Sequence, residues 1–224
     1  MNGFEMVKKT FPLLILICLL SSCGFLSSQG FFNSNTTETQ NGLLLFADDF
    51  SQSDSGWDRQ RTADGITDYE NGQYLIQVNR PDVDYFANPS LSLTDVHLEV
   101  EAVNASSVKD NEFGLICRFQ NKNDFYAGLI SSDGYYGIFK VKGGSYQLLG
   151  MDVMVQSAAI KTGSEKNLIR LDCVGQDLKL FVNGVQLDAR QDADFSKGDV
   201  GLLAGAYQTP GVKILFDTFV VQKP

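Results

Sequence analysis

The chain has 224 residues, with 18 Lys and Arg against 27 Asp and Glu, for a formal net charge of −9 at pH 7. An acidic surface with no basic stripe interleaved with aromatics repels phosphate backbones, which argues against nucleic acid as a partner. The length is ample for one packed core, and all-β domains often use about this many residues.

Residues 1–22 have the three parts of an export signal. Lys8 and Lys9 supply a basic start, Phe11 to Leu20 is an apolar run, and Leu20-Ser21-Ser22-Cys23 ends it with small residues before a cysteine. As helix the run covers only about 15 Å, half a bilayer core, so a permanent membrane span is the poorer reading. Leu-Ser-Ser-Cys resembles the bacterial lipobox. That resemblance implies cleavage before Cys23 and acylation of Cys23. It also implies a membrane partnership through the lipid, at the cell membrane or outer membrane, with the domain facing outside the cytoplasm. Several acyl chains anchor stably where one binds marginally. Gly24 follows the cysteine instead of Asp, so nothing resembles the usual inner-membrane retention signal. The alternative is an ordinary secretory signal in which Cys23 is incidental. Losing residues 1–22 removes two lysines and one glutamate, so the mature chain is one charge more negative.

Residues 23–42 form the lipidated cysteine and a tether rich in Ser, Asn, Thr, Gln and Gly, without helical or strand period. Phe25, Phe31 and Phe32 are unusual in such a linker. From Leu43 to Pro224 the pattern is short alternating strands: near 43–50, 73–79, 96–104, 112–120, 124–131, 135–142, 145–150, 167–174, 178–183, 199–206 and 212–221. Ser132-Asp133-Gly134, Lys142-Gly143-Gly144, Gly175-Gln176-Asp177 and Asn183-Gly184 are hairpin signals, and Thr209-Pro210-Gly211 closes the last hairpin. Only Met154 to Lys161 hints at a helical period, so helix content is expected to be small. The fold class is therefore all-β, a two-sheet antiparallel sandwich.

Of the four cysteines, Cys18 leaves with the signal and Cys23 is the lipid site. Cys117 and Cys173 remain, an even pair in an oxidising compartment, which favours a disulfide; two separate buried thiols are the alternative. Alternation places Phe113, Leu115, Cys117 and Phe119 on one face, opposite Gly114, Ile116, Arg118 and Gln120. Ile169, Leu171 and Cys173 likewise share a face, against Arg170 and Asp172.

Several stretches carry a family resemblance. They are Asp48-Asp49-Phe50 with Gly56-Trp57, Tyr69 to Tyr74 (YENGQY), Gly114 to Arg118 (GLICR), Asn123 to Tyr126 (NDFY), Leu180 to Gly184 (LFVNG), Gly198 to Leu202 (GDVGL) and Phe216 to Val221 (FDTFVV). In this order, over roughly residues 43–222, they resemble the concanavalin A-like jelly-roll superfamily of laminin-G domains and family-16 glucanases. Within it they look closest to a bacterial 3-keto-disaccharide hydrolase-like group. The resemblance implies a jelly-roll sandwich whose members bind glycans, hydrolyse them or bind proteins. Fold does not choose among these.

No complete catalytic constellation emerges. The family-16 motif Glu-x-Asp-x-x-Glu has its nearest match at Glu99-Val100-Glu101-Ala102-Val103-Asn104, where Asn104 cannot serve as an acid. The single histidine, His97, has no nucleophile in an elbow motif. Hard-cation donors are more evident. Asp188, Asp192, Asp194 and Asp199 crowd one loop, and Asp192-x-Asp194-x-Ser196 resembles part of a calcium loop. Its glycine comes one residue late, and no Glu closes it. The family resemblance implies a structural calcium held instead by Asp49, the Gly72 turn and Asp217.

For ligand binding, the face opposite the cysteines is expected to carry Glu99, Glu101, Arg118, Tyr126, Arg170 and Asp172. Fork-shaped Arg donors, carboxylates and an aromatic ring are what sugar recognition needs. An internal salt-bridge network with buried tyrosines accounts for the same residues without a ligand. Tyr85, Phe86, Tyr135, Tyr136 and Tyr207 are candidates for the rim. The expected function is a non-catalytic binding module for carbohydrate. A protein-binding adhesion or assembly module that takes a cell-envelope protein is the alternative, and a keto-disaccharide-type glycan hydrolase a weaker third.

Overall fold

Sixteen strands and no helix make up residues 42–224, which are the residues that the computed structural model describes. The export signal, Cys23 and all of the tether before Gly42 lie outside them. One antiparallel sheet has nine strands. Its order is β14 (Val185–Gln191), β13 (Asp177–Val182), β12 (Asn167–Val174), β6 (Val96–Asn104), β16 (Val212–Gln222), β4 (Gln73–Val78), β3 (Gly65–Glu70) and β2 (Gln60–Arg61), with β1 (Leu44–Asp48) also on β16. The other sheet has seven: β10 (Ser145–Leu148), β9 (Tyr135–Lys142), β8 (Asp124–Ile130), β7 (Asn111–Asn121), β15 (Asp199–Ala206) and β5 (Val83–Ala87), with β11 (Val155–Gln156) on β9.

The period-2 alternation of apolar residues packs the two sheets face to face. Val96, Leu98, Val100 and Ala102 of β6 and Ile169, Leu171 and Cys173 of β12 meet Phe113, Leu115 and Cys117 of β7 and Val200, Leu202 and Ala204 of β15 in one buried core. Cys117 and Cys173 are both fully buried and form a disulfide that ties β7 to β12 across the sandwich, with Cα atoms 6.7 Å apart.

Two expectations need correction here. Met154 to Lys161 is not helical: it holds the short strand β11 and a turn. Strands β2, β3, β5, β11 and β14 were absent from the expected set. β5 is short and lies between Pro81 and Pro89, and β14 carries mostly polar residues, so neither offers a long apolar alternation.

The alternation of β7 also breaks, at Arg118. Its φ of 52° and a register shift between Cys117 and Asn121 mark a β-bulge. The extra residue swaps the faces. Arg118 turns inward, and Phe119 joins Ile116, Phe125 and Phe139 on the outer face of the seven-stranded sheet, contrary to the simple alternation.

Candidate functional site

The expected ligand residues do not come together. Arg118 is 2% exposed, and its guanidinium donates to the Phe195 carbonyl (2.8 Å) and the Gly175 carbonyl (2.6 Å). Tyr126 is fully buried and points into the core; its hydroxyl donates to Asp192 (2.5 Å) and accepts from the Phe195 amide (3.1 Å). Both residues pin the 192–198 loop from within, so the expectation that they project to a ligand is corrected. The bulge turns Arg118 around, and in β8 it is Phe125, Ala127 and Leu129 that face outward.

Glu101, Arg170 and Asp172 sit on the outer face of the nine-stranded sheet, in a network of ion pairs. Asp172 accepts from Arg170 Nε (2.7 Å) and lies 2.7 Å from His97 Nδ1, and Glu101 meets Lys166 at 2.5 Å. The Arg170 guanidinium also stacks over Phe181. Burial raises the Glu99 carboxyl here, with Arg170 opposing the shift. A cleft of about 60 Å³ lies at His97, Glu99 and Arg170. These residues therefore satisfy one another.

The aspartates of residues 188–199 are each held by other groups of the protein. Asp188 pairs with Arg190 (2.8 Å), Asp192 and Asp194 with Lys140 (2.5 and 2.9 Å), and Asp199 accepts from the Leu91 amide (2.8 Å). Asp49 is exposed and accepts from the Ser51 amide, Gly72 occupies the β3–β4 turn, and Asp217 stands opposite Glu101 in β16. The inward-turned carboxylate at that end is Asp48, which caps Trp57 Nε1 (2.8 Å), the Phe50 amide (2.7 Å) and the Ser55 hydroxyl. Among the described residues no group of three or more His, Cys, Asp or Glu side chains is placed to hold a metal ion.

What the tertiary structure does assemble lies on the outer face of the seven-stranded sheet. Ile116, Phe125, Ala127, Leu129, Val141 and Leu203 form an apolar layer there, roofed in part by Phe86, Phe119 and Phe139. Tyr146 adds its ring, edge-on to Phe125. At one end of this layer is an open groove of about 500 Å³, with Phe86, Phe139, Tyr146 and Tyr207 in its walls and Lys122, Asn123 and Gly144 at its rim. Three acids line it, the exposed Asp82 and the pair Asp84 and Glu112. Asp84 of β5 and Glu112 of β7 are both paired in register with Gly205 of β15.

That glycine lets the two acids meet. A Cβ at position 205 would lie 2.1 Å from Asp84 Oδ1 and 3.1 Å from Glu112 Oε1, so any side chain would occupy the space where the carboxyl groups converge. The Tyr146 hydroxyl donates to Asp84 (2.5 Å) and the Tyr207 hydroxyl to Glu112 (2.7 Å). Burial, and then the charge of Asp84, pushes the Glu112 carboxyl up to about 8. Burial also raises Asp84, against the lowering effect of its hydrogen bonds, and it raises both tyrosines. At neutral pH the two acids thus share a proton.

Phe86 and Tyr207 were expected at a rim and do line the groove, whereas Tyr85 and Tyr136 pack on the inner core and Tyr135 lines no part of the groove. Asp84 and Glu112 were not expected. Asp84 lies in the unrecognised strand β5. Glu112 is in phase with Gly114 and Ile116 on the outer face, which was the signal available for it.

No protein-family model and no curated protein sequence matches the chain. Solved structures do. The carbohydrate-binding module CBM66 from Bacillus subtilis is 17% identical, with a TM-score of 0.56 over 75% of this chain and 95% of its own. A Bacillus subtilis protein of unknown function with a galectin-like fold is 11% identical, with a TM-score of 0.61 over 81% of this chain and 96% of its own. A Bacillus licheniformis β-glucanase is 11% identical, with a TM-score of 0.59 over 83% of this chain and 100% of its own. Identities this low speak to architecture alone, and the architecture is a two-sheet jelly-roll sandwich.

Proposed function

We propose that the domain is a non-catalytic carbohydrate-binding module, held outside the cytoplasm by a lipid on Cys23, with its site in the Asp84–Glu112 groove. The observation that carries this reading is the groove itself, where aromatic walls stand beside fixed carboxyl and hydroxyl groups. Sugar rings stack their apolar faces on aromatic side chains while their hydroxyls seek directional partners. Structural neighbours that include a carbohydrate-binding module and a glucanase support the same reading.

Binding is favoured over hydrolysis by the spacing of the acids. Retaining glycosidases hold their two carboxyls about 5–5.5 Å apart and inverting ones about 6.5–9.5 Å. Asp84 and Glu112 are within hydrogen-bonding reach of each other, closer than either arrangement. Protein binding is less favoured, because among the described residues the large exposed apolar side chains are few: Leu43, Leu44 and Leu45 at and just before the start of β1, then Tyr146, Val153, Val155 and Val185.

The test is a glycan-array screen of the purified protein, repeated with Tyr146→Ala and Asp84→Asn. Binding to at least one glycan class is expected, weakened about tenfold or more in each variant. Unchanged binding in both variants would move the site elsewhere, and no binding to any glycan would remove the reading. We also propose a structural calcium at Asp49, the Gly72 turn and Asp217, where oxygen-only donors suit that ion. Millimolar calcium should then raise the melting temperature by mass action, and an unchanged curve after chelation and re-addition removes the ion.

A further inference from the structure

The seven-stranded sheet runs from β10 at one edge to β5 at the other, with β9, β8, β7 and β15 between them. At about 4.8 Å per strand a flat sheet would hold those edges roughly 24 Å apart, beyond the reach of two side chains. Yet the Tyr146 hydroxyl of β10 donates to Asp84 of β5 at 2.5 Å. The sheet is therefore curled over its outer face, and one side chain from each edge closes the curl. Beneath that closure Ile116, Phe125, Ala127, Leu129, Val141 and Leu203 are fully buried, although they point away from the core between the sheets.

The contact is one link of a chain. Tyr146 donates to Asp84, Asp84 shares a proton with Glu112, and Glu112 accepts from Tyr207. Both edge strands are thereby tied to β7 at the centre of the sheet and to the residue that follows β15. The middle link differs in kind from the outer two. Burial raises both tyrosine hydroxyls, so each keeps a proton to donate. Two carboxyl groups bond to each other only while one of them holds a proton.

The charged groups around the middle link offer no substitute for it. Asp82 before β5 and Asp110 before β7 are further acids. Lys122 stands at the groove's rim, and among the described residues no ion pair joins it to Asp84 or Glu112. Without the shared proton, two negative charges face each other away from bulk water, where like charges repel strongly. Glu112 is buried on a central strand and held by Tyr207, whereas Asp84 is partly exposed on an edge strand. Asp84 is the one that gives way.

We infer that this chain is a proton-dependent clasp: while Asp84 and Glu112 share a proton it holds the outer face closed, and loss of that proton frees Asp84 with Tyr146 and uncovers the apolar layer beneath. Tyr146 is also a wall of the groove proposed for sugar, so the clasp sets whether that wall is in place, a consequence that rests on the carbohydrate reading. The clasp itself does not rest on it. Its test uses no sugar, so either can fail alone.

The test follows emission of Nile red, a neutral dye that brightens on apolar surface, with the purified protein from about pH 6 to about pH 9.5. Near-ultraviolet circular dichroism is recorded on the same samples. Wild-type emission is expected to rise at least ~3-fold with a midpoint at about 8, where Glu112 loses its proton, while the dichroism stays native. Glu112→Gln carries an amide N–H that donates to Asp84 throughout, so its emission should stay low and flat. Tyr146→Phe lacks the outer link and should be bright already at the acid end. A flat wild-type curve, a rise in Glu112→Gln that follows the wild type's, or a Tyr146→Phe curve identical to the wild type's would each overturn the clasp. A rise that tracks loss of the near-ultraviolet signal is unfolding of the domain and overturns it too.

Discussion

Glu112 puts its charge where the structure gives it no counter-ion, and its titration should be visible in the stability of the whole domain. Burial first, and Asp84 second, raise its folded value to about 8, against about 4.5 when exposed. Below about pH 4.5 the group is neutral in both states and costs nothing. Between there and pH 8 only the unfolded chain ionises it, so stability falls as pH rises, by up to about 5 kcal/mol. Asp68 and Asp192 act with the opposite sign. Burial alone would raise each, but hydrogen bonds from Arg59 and Arg61, and from Lys140 and Tyr126, leave both lowered. Their stabilisation is present above about pH 4 and is lost as pH falls. Urea melts of the wild type and Glu112→Gln from pH 5 to 9 check this: the variant should be flatter across the range and more stable at pH 8.

Arg118 belongs to the same scale but to a different task. Its two carbonyl partners, at Phe195 and Gly175, lie on separate loops, and its side chain fills core space. Truncation leaves both acceptors unpaired and opens a cavity, so Arg118→Ala should lose about 2–4 kcal/mol. Glycan affinity per folded molecule should be unchanged, and a binding loss that exceeds the unfolded fraction would return Arg118 to the site.

Among the elements, β7 does the most to organise the molecule. Its first half alternates strictly, which directs Glu112 to the groove and Cys117 to the core. Its bulge at Arg118 then sends Phe119 to the outer apolar layer. The Cys117–Cys173 bond closes a loop with a sequence separation of 56 and fastens β7 to the opposite sheet. In the chain-entropy account, breaking it should cost about 3–5 kcal/mol. Denaturation with and without reductant measures this, and Cys117→Ala with Cys173→Ala should match the reduced wild type.

For the whole molecule, the surface charge and the N-terminal segment act together. A net charge of −9 leaves little to hold the protein to an anionic bilayer, so the membrane attachment we propose depends on the lipid at Cys23. Cys23→Ala should leave the protein unprocessed or release it from the membrane fraction. Palmitate labelling that survives the substitution would contradict the lipid assignment.

The class of the fold, the sandwich and its two-sheet logic were legible because they rest on local signals. Alternation in 96–104, 167–174 and 199–206 and turn pairs such as Asn183-Gly184 act within a few residues of each other. The cysteines were legible for a related reason, since Cys117 and Cys173 each sit in phase with their strand's apolar face. The site was not. A single inserted residue at Arg118 inverts the face assignments beyond it in β7, and composition carries no mark of a bulge. Asp84 and Glu112 are 28 positions apart in the chain and become neighbours only because β15 pairs with both β5 and β7 and offers a glycine between them. Strand order across a sheet is a long-range property, decided by packing of the complete sandwich, so only the tertiary structure could bring two unremarkable acids into one groove.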